Sequence, residues 1–349
     1  MKWGILKNEF DDNHLYWLNA CKKYNQNYEV IDLISNNWLD SIKNNNFIGF
    51  LTCPPGRETL FKQLYDERIF IIEKVLNHFC YPSYGEIQIY ENKKYLSYWL
   101  SANGIPHPRT NVFYSLPEAL DFINKQTLPI VAKFNIGASG KGVEIFNEKN
   151  KLKKYVQTAF RNGIKQDWGP NLKMGNWTNR IIKIINKPSH IKKRLKVYNK
   201  VFNEVQKGFI ILQDYIPHDF EWRIVKIGDS YFGHKKVKTG QMASGTKGIN
   251  YVLPSDSQMN FVKDLCDRFN FNAMAVDCFE DEKGNLLVNE LQTIFGHVQE
   301  YICEKNGVPG RIVYKEKKWI FEEGMFNQNL SYDLRLKHAI SLIKQKEEI

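Results

Sequence analysis

Short apolar runs alternate with helical patterns through the first ninety residues of the chain. Strand patterns cover Lys2–Leu6, Tyr28–Leu33 and Phe47–Leu51. Helical patterns cover His14–Tyr24, Trp38–Lys43 and Leu60–Asn77. Strands and helices that alternate at this spacing build parallel sheets, because each helix returns the chain to the starting edge. We therefore predict a small parallel sheet in a Rossmann-like α/β domain. No G-x-G-x-x-G follows the first strand, so a dinucleotide site is not indicated.

The length and composition are those of a protein with a hydrophobic core and two or three domains. The chain has 349 residues, of which 43% are hydrophobic and 25% charged. No apolar run approaches the length of a membrane-spanning helix, and the charged start does not resemble a secretory leader. The six cysteines show no Cys-x-x-Cys spacing and indicate reduced thiols. We expect a cytoplasmic protein without a transmembrane segment.

The positive charge of the chain is concentrated between residues 180 and 207. This segment contains nine Lys or Arg residues and one acid, Glu204, within a formal net charge of +11 for the whole chain. One interpretation is a solvated helical face. Another is a cradle for an anionic substrate, a phosphorylated carrier or an acidic membrane surface. Nucleic acid is the weakest alternative, since no zinc-finger or RNA-recognition pattern accompanies the charge.

A glycine-rich run follows an apolar strand pattern in the middle of the chain. Its residues are Gly137, Ala138, Ser139, Gly140, Lys141 and Gly142. Glycines let backbone amides approach a phosphate closely, although a simple glycine turn is the alternative. The run lacks the Walker pattern and precedes a strand, Val143–Phe146, which indicates a hairpin lid. Lys133 ends the preceding strand, where it can serve as a point charge for a polyphosphate or be a solvated surface lysine.

Two later segments carry polar residues at strand spacing. Gln213-Asp-Tyr-Ile216 follows an apolar strand and can offer backbone groups to an adenine ring. Glu221 and Arg223 are two apart, so that in a strand they share one face. The carboxylate can accept from ribose hydroxyls and the guanidinium can hold phosphate, whereas a surface ion pair is the alternative.

Acidic residues also occur in two apolar strand patterns near residue 280. Asp277 lies within Ala273–Phe279, and Glu290 and Gln292 lie two apart in Leu286–Gln292. The segment between these strands predicts a hairpin. Oxygen ligands of this kind suit magnesium bound together with substrate phosphates. A purely structural role for the acid is the alternative, although an unpaired acid in an apolar strand is costly.

The order of these motifs resembles that of the ATP-grasp superfamily, in particular the branch of glutathione synthetase and the ligases that add glutamate to ribosomal proteins. The resemblance covers roughly residues 93–300. It implies an α/β (α+β) architecture, with an N-terminal Rossmann-like domain followed by a two-lobed ATP-grasp module. The implied boundaries are 1–92 for the first domain, 93–212 for the first lobe with a basic insertion at about 147–208, 213–303 for the second lobe, and 304–349 for a C-terminal extension.

The resemblance also implies roles for individual residues. Lys93, at the head of a predicted helix, and Lys133 resemble the two nucleotide-phosphate lysines, and residues 137–142 resemble the phosphate lid. The implied adenine hinge consists of Gln213, Asp214, Tyr215 and Ile216, and Glu221 resembles the ribose carboxylate. The implied cationic lining of the triphosphate and acyl phosphate consists of Arg223 with Lys235 or Lys236. The implied magnesium ligands are Asp277, Glu290 and Gln292.

Two departures from the family pattern affect these roles. The last metal ligand is usually Asn, and here it is Gln292. The number of magnesium ions, one or two, is therefore left open, and manganese is an alternative metal. Relatives often place an arginine before the small-residue loop, where this chain has Gln241-Met-Ala-Ser-Gly245. We therefore expect Lys238 or Lys247 to take that role at the acyl phosphate.

The activity that the resemblance implies is an ATP-dependent carboxylate–amine ligase that works through an acyl phosphate. Its partners would be a small carboxylate and an amine. The basic segment, including Lys192, Lys193 and Arg194, suggests a phosphorylated or lipid-linked sugar acceptor in polysaccharide synthesis. An ATP-grasp kinase is one alternative. A non-catalytic module that binds nucleic acid or anionic membrane through residues 180–207 is another, and a homodimer is left open.

Overall fold

The computed structural model describes residues 1–7, 14–137, 142–165, 204–239, 242–243, 248–295 and 300–348. The helices are α1 His14–Lys23, α2 Trp38–Lys43, α3 Thr59–Phe70, α4 Tyr84–Ile89, α5 Lys93–Ala102, α6 Leu116–Lys125, α7 Lys149–Arg161, α8 Asp256–Arg268 and α9 Tyr332–Glu347, with a π-helical turn at Ile71–Val75 and a 3₁₀ turn at Gln328–Ser331. Three larger sheets and one two-stranded ribbon organise these elements.

The first sheet contains the strands of the N-terminal region. These are β1 Lys2–Leu6, β2 Tyr28–Ile31, β3 Phe47–Leu51 and β4 Cys80–Tyr81, in the order β2-β1-β3-β4 with every pair parallel. Buried side chains such as Leu6, Phe50 and Tyr65 pack between this sheet and its helices. The predicted parallel sheet is therefore confirmed.

The second sheet is antiparallel and has helices on one face. Its strands are β5 Thr110–Phe113, β6 Ile130–Lys133, β7 Val143–Phe146 and β10 Ile210–Asp214, in the order β5-β10-β6-β7. Ile130 and Ile210 pack on the helices α6 and α7. Because side chains alternate along a strand, Lys133 and Gln213 belong to the opposite face. That face is the one available to a ligand.

The third sheet is the largest and is also antiparallel. Its strands are β11 Phe220–Ile227, β12 Ser230–Thr239, β13 Met242–Ala243, β14 Ile249–Asn250, β15 Ala273–Glu280, β16 Leu286–Gln292, β17 Glu304–Lys305, β18 Val308–Lys315 and β19 Lys318–Glu323. Its main path runs β16-β15-β11-β12-β18-β17. The predicted hairpin of β15 and β16 is confirmed. It places Asp277 opposite Glu290.

A short ribbon and the last helix connect these sheets. The strands β8 Ile164–Lys165 and β9 Val205–Gln206 pair with each other. The Glu204 carboxylate accepts hydrogen bonds from the Thr59 amide (3.0 Å) and hydroxyl (2.7 Å) at the start of α3. In α9, Tyr332 lies edge-on to Trp17 at 4.7 Å between ring centroids. The predicted domain boundaries stay predictions, whereas the α/β class is confirmed.

Two further expectations concern the cysteines and the membrane. All six cysteines lie in the described part of the chain, and each is buried and outside any disulfide bond. Within the described ranges, no helix has the length and apolar character needed to cross a bilayer.

Candidate nucleotide and metal site

A network of four buried charged side chains lies on one face of the third sheet. The Arg223 guanidinium donates two hydrogen bonds of 2.7 Å to the Asp277 carboxylate. The Lys236 Nζ lies 2.9 Å from Asp277 and 2.5 Å from Glu221. Strand register explains this geometry, because Arg223 pairs with Asp277 and Glu221 pairs with Lys236 across neighbouring strands. The predicted ribose carboxylate, cationic lining and first metal ligand therefore lie together.

The network determines the ionisation of its members. Burial would raise the pKa of Asp277, but the charges of Arg223 and Lys236 hold this pKa well below its usual range. Burial opposes the positive charge of Lys236, whereas Asp277 and Glu221 favour it more strongly, so the pKa of Lys236 is raised. The site thus holds fully developed charges inside the protein, where they interact strongly.

Glu290 and Gln292 extend this network along β16. The Gln292 side-chain oxygen accepts a 2.9 Å hydrogen bond from Arg223, and its amide donates to Glu290 at 2.9 Å. Two carboxylates and an amide supply the hard oxygen atoms that magnesium prefers. Among the described residues, no three His, Cys, Asp or Glu side chains form a metal-binding group by themselves. The donor chemistry fits magnesium. The ion would take the place that Arg223 and Lys236 now hold at Asp277, and substrate phosphates would complete its coordination shell.

The Lys133 side chain reaches from the second sheet to the third. Its Nζ donates a 2.8 Å hydrogen bond to the side-chain oxygen of Asn289, and the side chain is buried. Burial lowers the pKa of Lys133 to about 8, with Glu290 opposing the shift and Lys93 adding to it. An approaching phosphate would favour the charged form of this lysine.

Asn289 is a site residue that sequence reasoning missed. The register of β15 against β16 shifts between Asp277, which pairs with Glu290, and Cys278, which pairs with Val288. Asn289 is the extra residue of this β-bulge, a feature often found beside active sites because it redirects a side chain. No signal in the sequence distinguishes this bulge from regular pairing.

Lys93 lies at the first position of α5 and contacts the start of the predicted lid. Its Nζ donates a 2.6 Å hydrogen bond to the Gly137 carbonyl and lies 3.4 Å from the Glu91 carboxylate. Burial opposes the charged form, but Glu91 and Glu290 raise the pKa of Lys93. Glu91 was also missed from the sequence. It is a buried acid in a segment without a recognisable motif.

The strands β6 and β7 on either side of the predicted lid form an antiparallel hairpin. Lys133 pairs with Val143 across β6 and β7, and the Phe134 amide donates to the Gly142 carbonyl at 2.7 Å. The lid residues Ala138, Ser139, Gly140 and Lys141 lie outside the described residues. So do the predicted substrate residues Lys192, Lys193, Arg194 and Lys247.

A narrow cavity separates the second sheet from the third. Lys93, Lys133 and Gln213 line it together with Asn289. Three predicted nucleotide residues thus surround one space, although they come from a helix and two strands. The Val288 amide donates to the Pro106 carbonyl at 2.8 Å and joins the two sides of the cleft.

The predicted hinge leaves this cavity along β10. The Gln213 amide donates a 2.8 Å hydrogen bond to the Thr110 hydroxyl. The Asp214 carboxylate points to Arg109, 3.0 Å away, and the Ile216 carbonyl lies 2.7 Å from Nδ1 of His218. Tyr215 extends toward β12, where its hydroxyl meets Lys238.

Two predicted lysines of β12 are placed differently from Lys236. The Lys235 ammonium lies over the rings of Phe220 (3.7 Å) and Trp222 (4.8 Å), on the opposite face of the strand. Of the predicted alternatives Lys235 and Lys236, Lys236 is therefore the one that lies beside Arg223 and Asp277, because neighbouring strand residues face opposite sides. Lys238 lies on the same face as Lys236 but contacts the Tyr215 hydroxyl at 3.2 Å, next to the hinge.

Comparison with known proteins identifies the fold. No family model and no curated protein matches the chain. Among solved structures, D-cycloserine synthetase DcsG matches with a TM-score of 0.54 and 13% identity over 99% of both chains. A D-alanine–D-alanine ligase from Bacillus anthracis gives 0.51 and 14% over 99% of both chains. An ATP-grasp RimK domain protein from Sphaerobacter thermophilus gives 0.51 and 12% over 83% of this chain and 90% of that one. The chain therefore has the ATP-grasp fold.

Proposed function

We propose that this protein is an ATP-dependent carboxylate–amine ligase. The observation that carries the proposal is a cluster of four buried cations beside four carboxylates, in the cleft between two sheets of an ATP-grasp fold. The cations are Lys93, Lys133, Arg223 and Lys236. Buried charges are expensive and cluster where a charged ligand uses them. A nucleotide with its triphosphate is a ligand that uses both signs of charge, since it brings phosphates together with metal ions.

Each cation has a distinct part in the proposed reaction. Lys93 and Lys133 bind the phosphate chain, and Arg223 and Lys236 stabilise the charge that develops as the terminal phosphoryl group moves. The phosphoryl group passes to a substrate carboxylate, which gives an acyl phosphate and ADP. An amine then attacks the carbonyl carbon, and phosphate leaves. Positioning and charge neutralisation account for most of the catalysis of such transfers.

Asp277, Glu290 and Gln292 would hold magnesium, and manganese is a chemically similar substitute. The metal supplies Lewis-acid stabilisation of the phosphate charge when it is bound. Arg223, which Asp277 and Gln292 bind in this structure, would neutralise the phosphates if these two residues held the metal. The predicted lid, residues 137–142, would exclude water from the acyl phosphate.

We also propose that the acceptor substrate is anionic. The charge of residues 180–207 supports an anionic acceptor, such as a phosphorylated or lipid-linked sugar. A cytoplasmic location and a homodimer stay predictions from the sequence.

An ADP-release screen with pooled carboxylates and pooled amines tests the proposed function. A ligase releases ADP rapidly only when both pools are present, whereas a kinase needs a single acceptor and leaves it phosphorylated. We expect Glu290→Gln to reduce the rate at least about 100-fold, the scale of losing a group that acts on the transferring phosphate. ADP release that is independent of the amine pool, with a phosphorylated product, would favour the kinase. Binding to RNA or anionic vesicles without any ADP release would favour the non-catalytic module.

A further inference from the structure

Glu91 is a buried acid between α4 and α5 that the proposed mechanism does not use. Its side chain is only 4% exposed, and its carboxylate lies 3.4 Å from the Lys93 ammonium. The same ammonium donates to the Gly137 carbonyl at the start of the lid. Glu91 therefore contacts the lysine through which the nucleotide-phosphate site and the lid are joined.

The backbone at Glu91 is strained. Its φ of 49° lies in the left-handed region, which glycine and asparagine occupy far more readily than glutamate. The loop after β3 also makes room for this side chain. A Cβ at Gly56 would lie 2.5 Å from the Glu91 Cγ. Strain of this kind persists where the surroundings require a particular side chain, and it is frequent at functional sites.

Charged groups from three elements surround the Glu91 carboxylate. Lys93 of α5 and Lys62 of α3 are the cations, and Glu290 of β16 is the nearby anion. Lys62 is already bonded to Asp66 at 2.6 Å and to the Ile87 carbonyl at 3.1 Å. Lys93 is thus the main partner of Glu91. Burial raises the pKa of Glu91 to about 7, with Lys93 opposing this shift and Glu290 adding to it.

We propose that Glu91 is a positioning residue that holds Lys93 before nucleotide binds, and that it takes up a proton when a phosphate chain replaces it at Lys93. The Lys93 ammonium carries one positive charge and already donates to the Gly137 carbonyl, so an incoming phosphate competes with the Glu91 carboxylate for it. The incoming phosphate removes the charge that keeps Glu91 ionised and adds repulsion, so the protonated acid becomes the stable form. The proton comes from solvent, and the carboxylate becomes a neutral carboxyl group. This inference rests on the proposed function only in assuming that a nucleotide binds at Lys93.

Calorimetry of ADP and Mg-ATP binding in two buffers of different ionisation enthalpy measures this proton directly. At pH 7.5 we expect the wild type to take up roughly half to three quarters of a proton more than Glu91→Gln does. Because binding takes up a proton, nucleotide affinity should fall as the pH rises. For the wild type this fall should be steeper than for Glu91→Gln by a factor of about three to six per pH unit. Lys133 also gains a proton on phosphate binding, but its contribution is common to both proteins and cancels in the difference.

Two further variants separate charge from structure. Glu91→Gly relieves the strained backbone and should lose the same proton as Glu91→Gln, because both lack the carboxylate. Glu86→Gln is a matched control, since Glu86 is a buried acid that accepts from the Asn272 and Ala273 amides instead of a lysine. Its proton uptake should equal that of the wild type. Equal uptake in wild type and both Glu91 variants would overturn the proposal, whereas a wild type that binds neither nucleotide would refute the proposed function instead.

Discussion

At the scale of single residues, Asp277 is the centre of the candidate site. It is fully buried and accepts hydrogen bonds from both Arg223 and Lys236. Two cations thus depend on this one carboxylate inside the protein. Removing one partner of a buried ion pair destabilises a protein by more than the intact pair stabilises it, because the remaining charge is left uncompensated. The same carboxylate is one of the proposed metal ligands.

Asp277→Asn should therefore lower the free energy of unfolding by about 3–5 kcal/mol at pH 7. Glu290→Gln should cost less than about 1 kcal/mol, because Glu290 is half-buried and a glutamine can still accept from Gln292. Urea denaturation of the nucleotide-free proteins measures both values. Similar losses in the two variants would show that Asp277 is not the electrostatic centre of the site.

The pH dependence of the same contribution has a definite sign. The folded protein lowers the pKa of Asp277, so its stabilisation is fully present above the unfolded pKa of about 4. It is lost as the pH falls below that value toward the folded pKa. The difference in stability between wild type and Asp277→Asn, measured by urea denaturation across this range, should accordingly shrink below about pH 4.

At the scale of elements, strand alternation on β12 separates two adjacent lysines. Lys236→Met should weaken Mg-ATP binding by about tenfold or more, since it removes a charged group from the phosphate site. Lys235→Met should leave binding within about twofold, because Lys235 packs on Phe220 and Trp222 on the other face. Circular dichroism would check that each variant is folded. Loss of binding in Lys235→Met would mean that the faces are assigned wrongly.

The sequence predicts the elements of this site better than their local irregularities. The alternation of strand and helix patterns was enough for the parallel sheet, and the turn residues 281–285 between two strand patterns were enough for the β15–β16 hairpin. Alternation also correctly placed Glu221 and Arg223 on one face. The choice between Lys235 and Lys236 required the register of β12 against β11, which residue patterns do not fix. Asn289 depends on a bulge and Glu91 on a left-handed backbone. Both are set by tertiary packing and not by local sequence.

At the scale of the whole molecule, the candidate site exists only because two sheets meet. Lys133 of the second sheet bonds to Asn289 of the third, and the Pro106 carbonyl accepts from the Val288 amide across the same cleft. The cavity between them is narrow. A nucleotide bound in this cleft would widen it, and its phosphates would replace Asn289 as the partner of Lys133. Such closure and opening is a common way to exclude water from a reacting group.

The most direct measurement of this account is a calorimetric titration of Mg-ATP into wild type and Lys133→Ala at pH 7. The wild type should bind one nucleotide per chain. Lys133→Ala should bind it about 10- to 150-fold more weakly, which corresponds to the loss of a charged hydrogen bond of about 1.5–3 kcal/mol. The variant should stay folded, because the substitution removes a buried charge together with its hydrogen bond to Asn289 and leaves the backbone pairing of β6 in place. Equal affinity in the two proteins, or no binding by the wild type, would contradict the placement of a nucleotide between the two sheets.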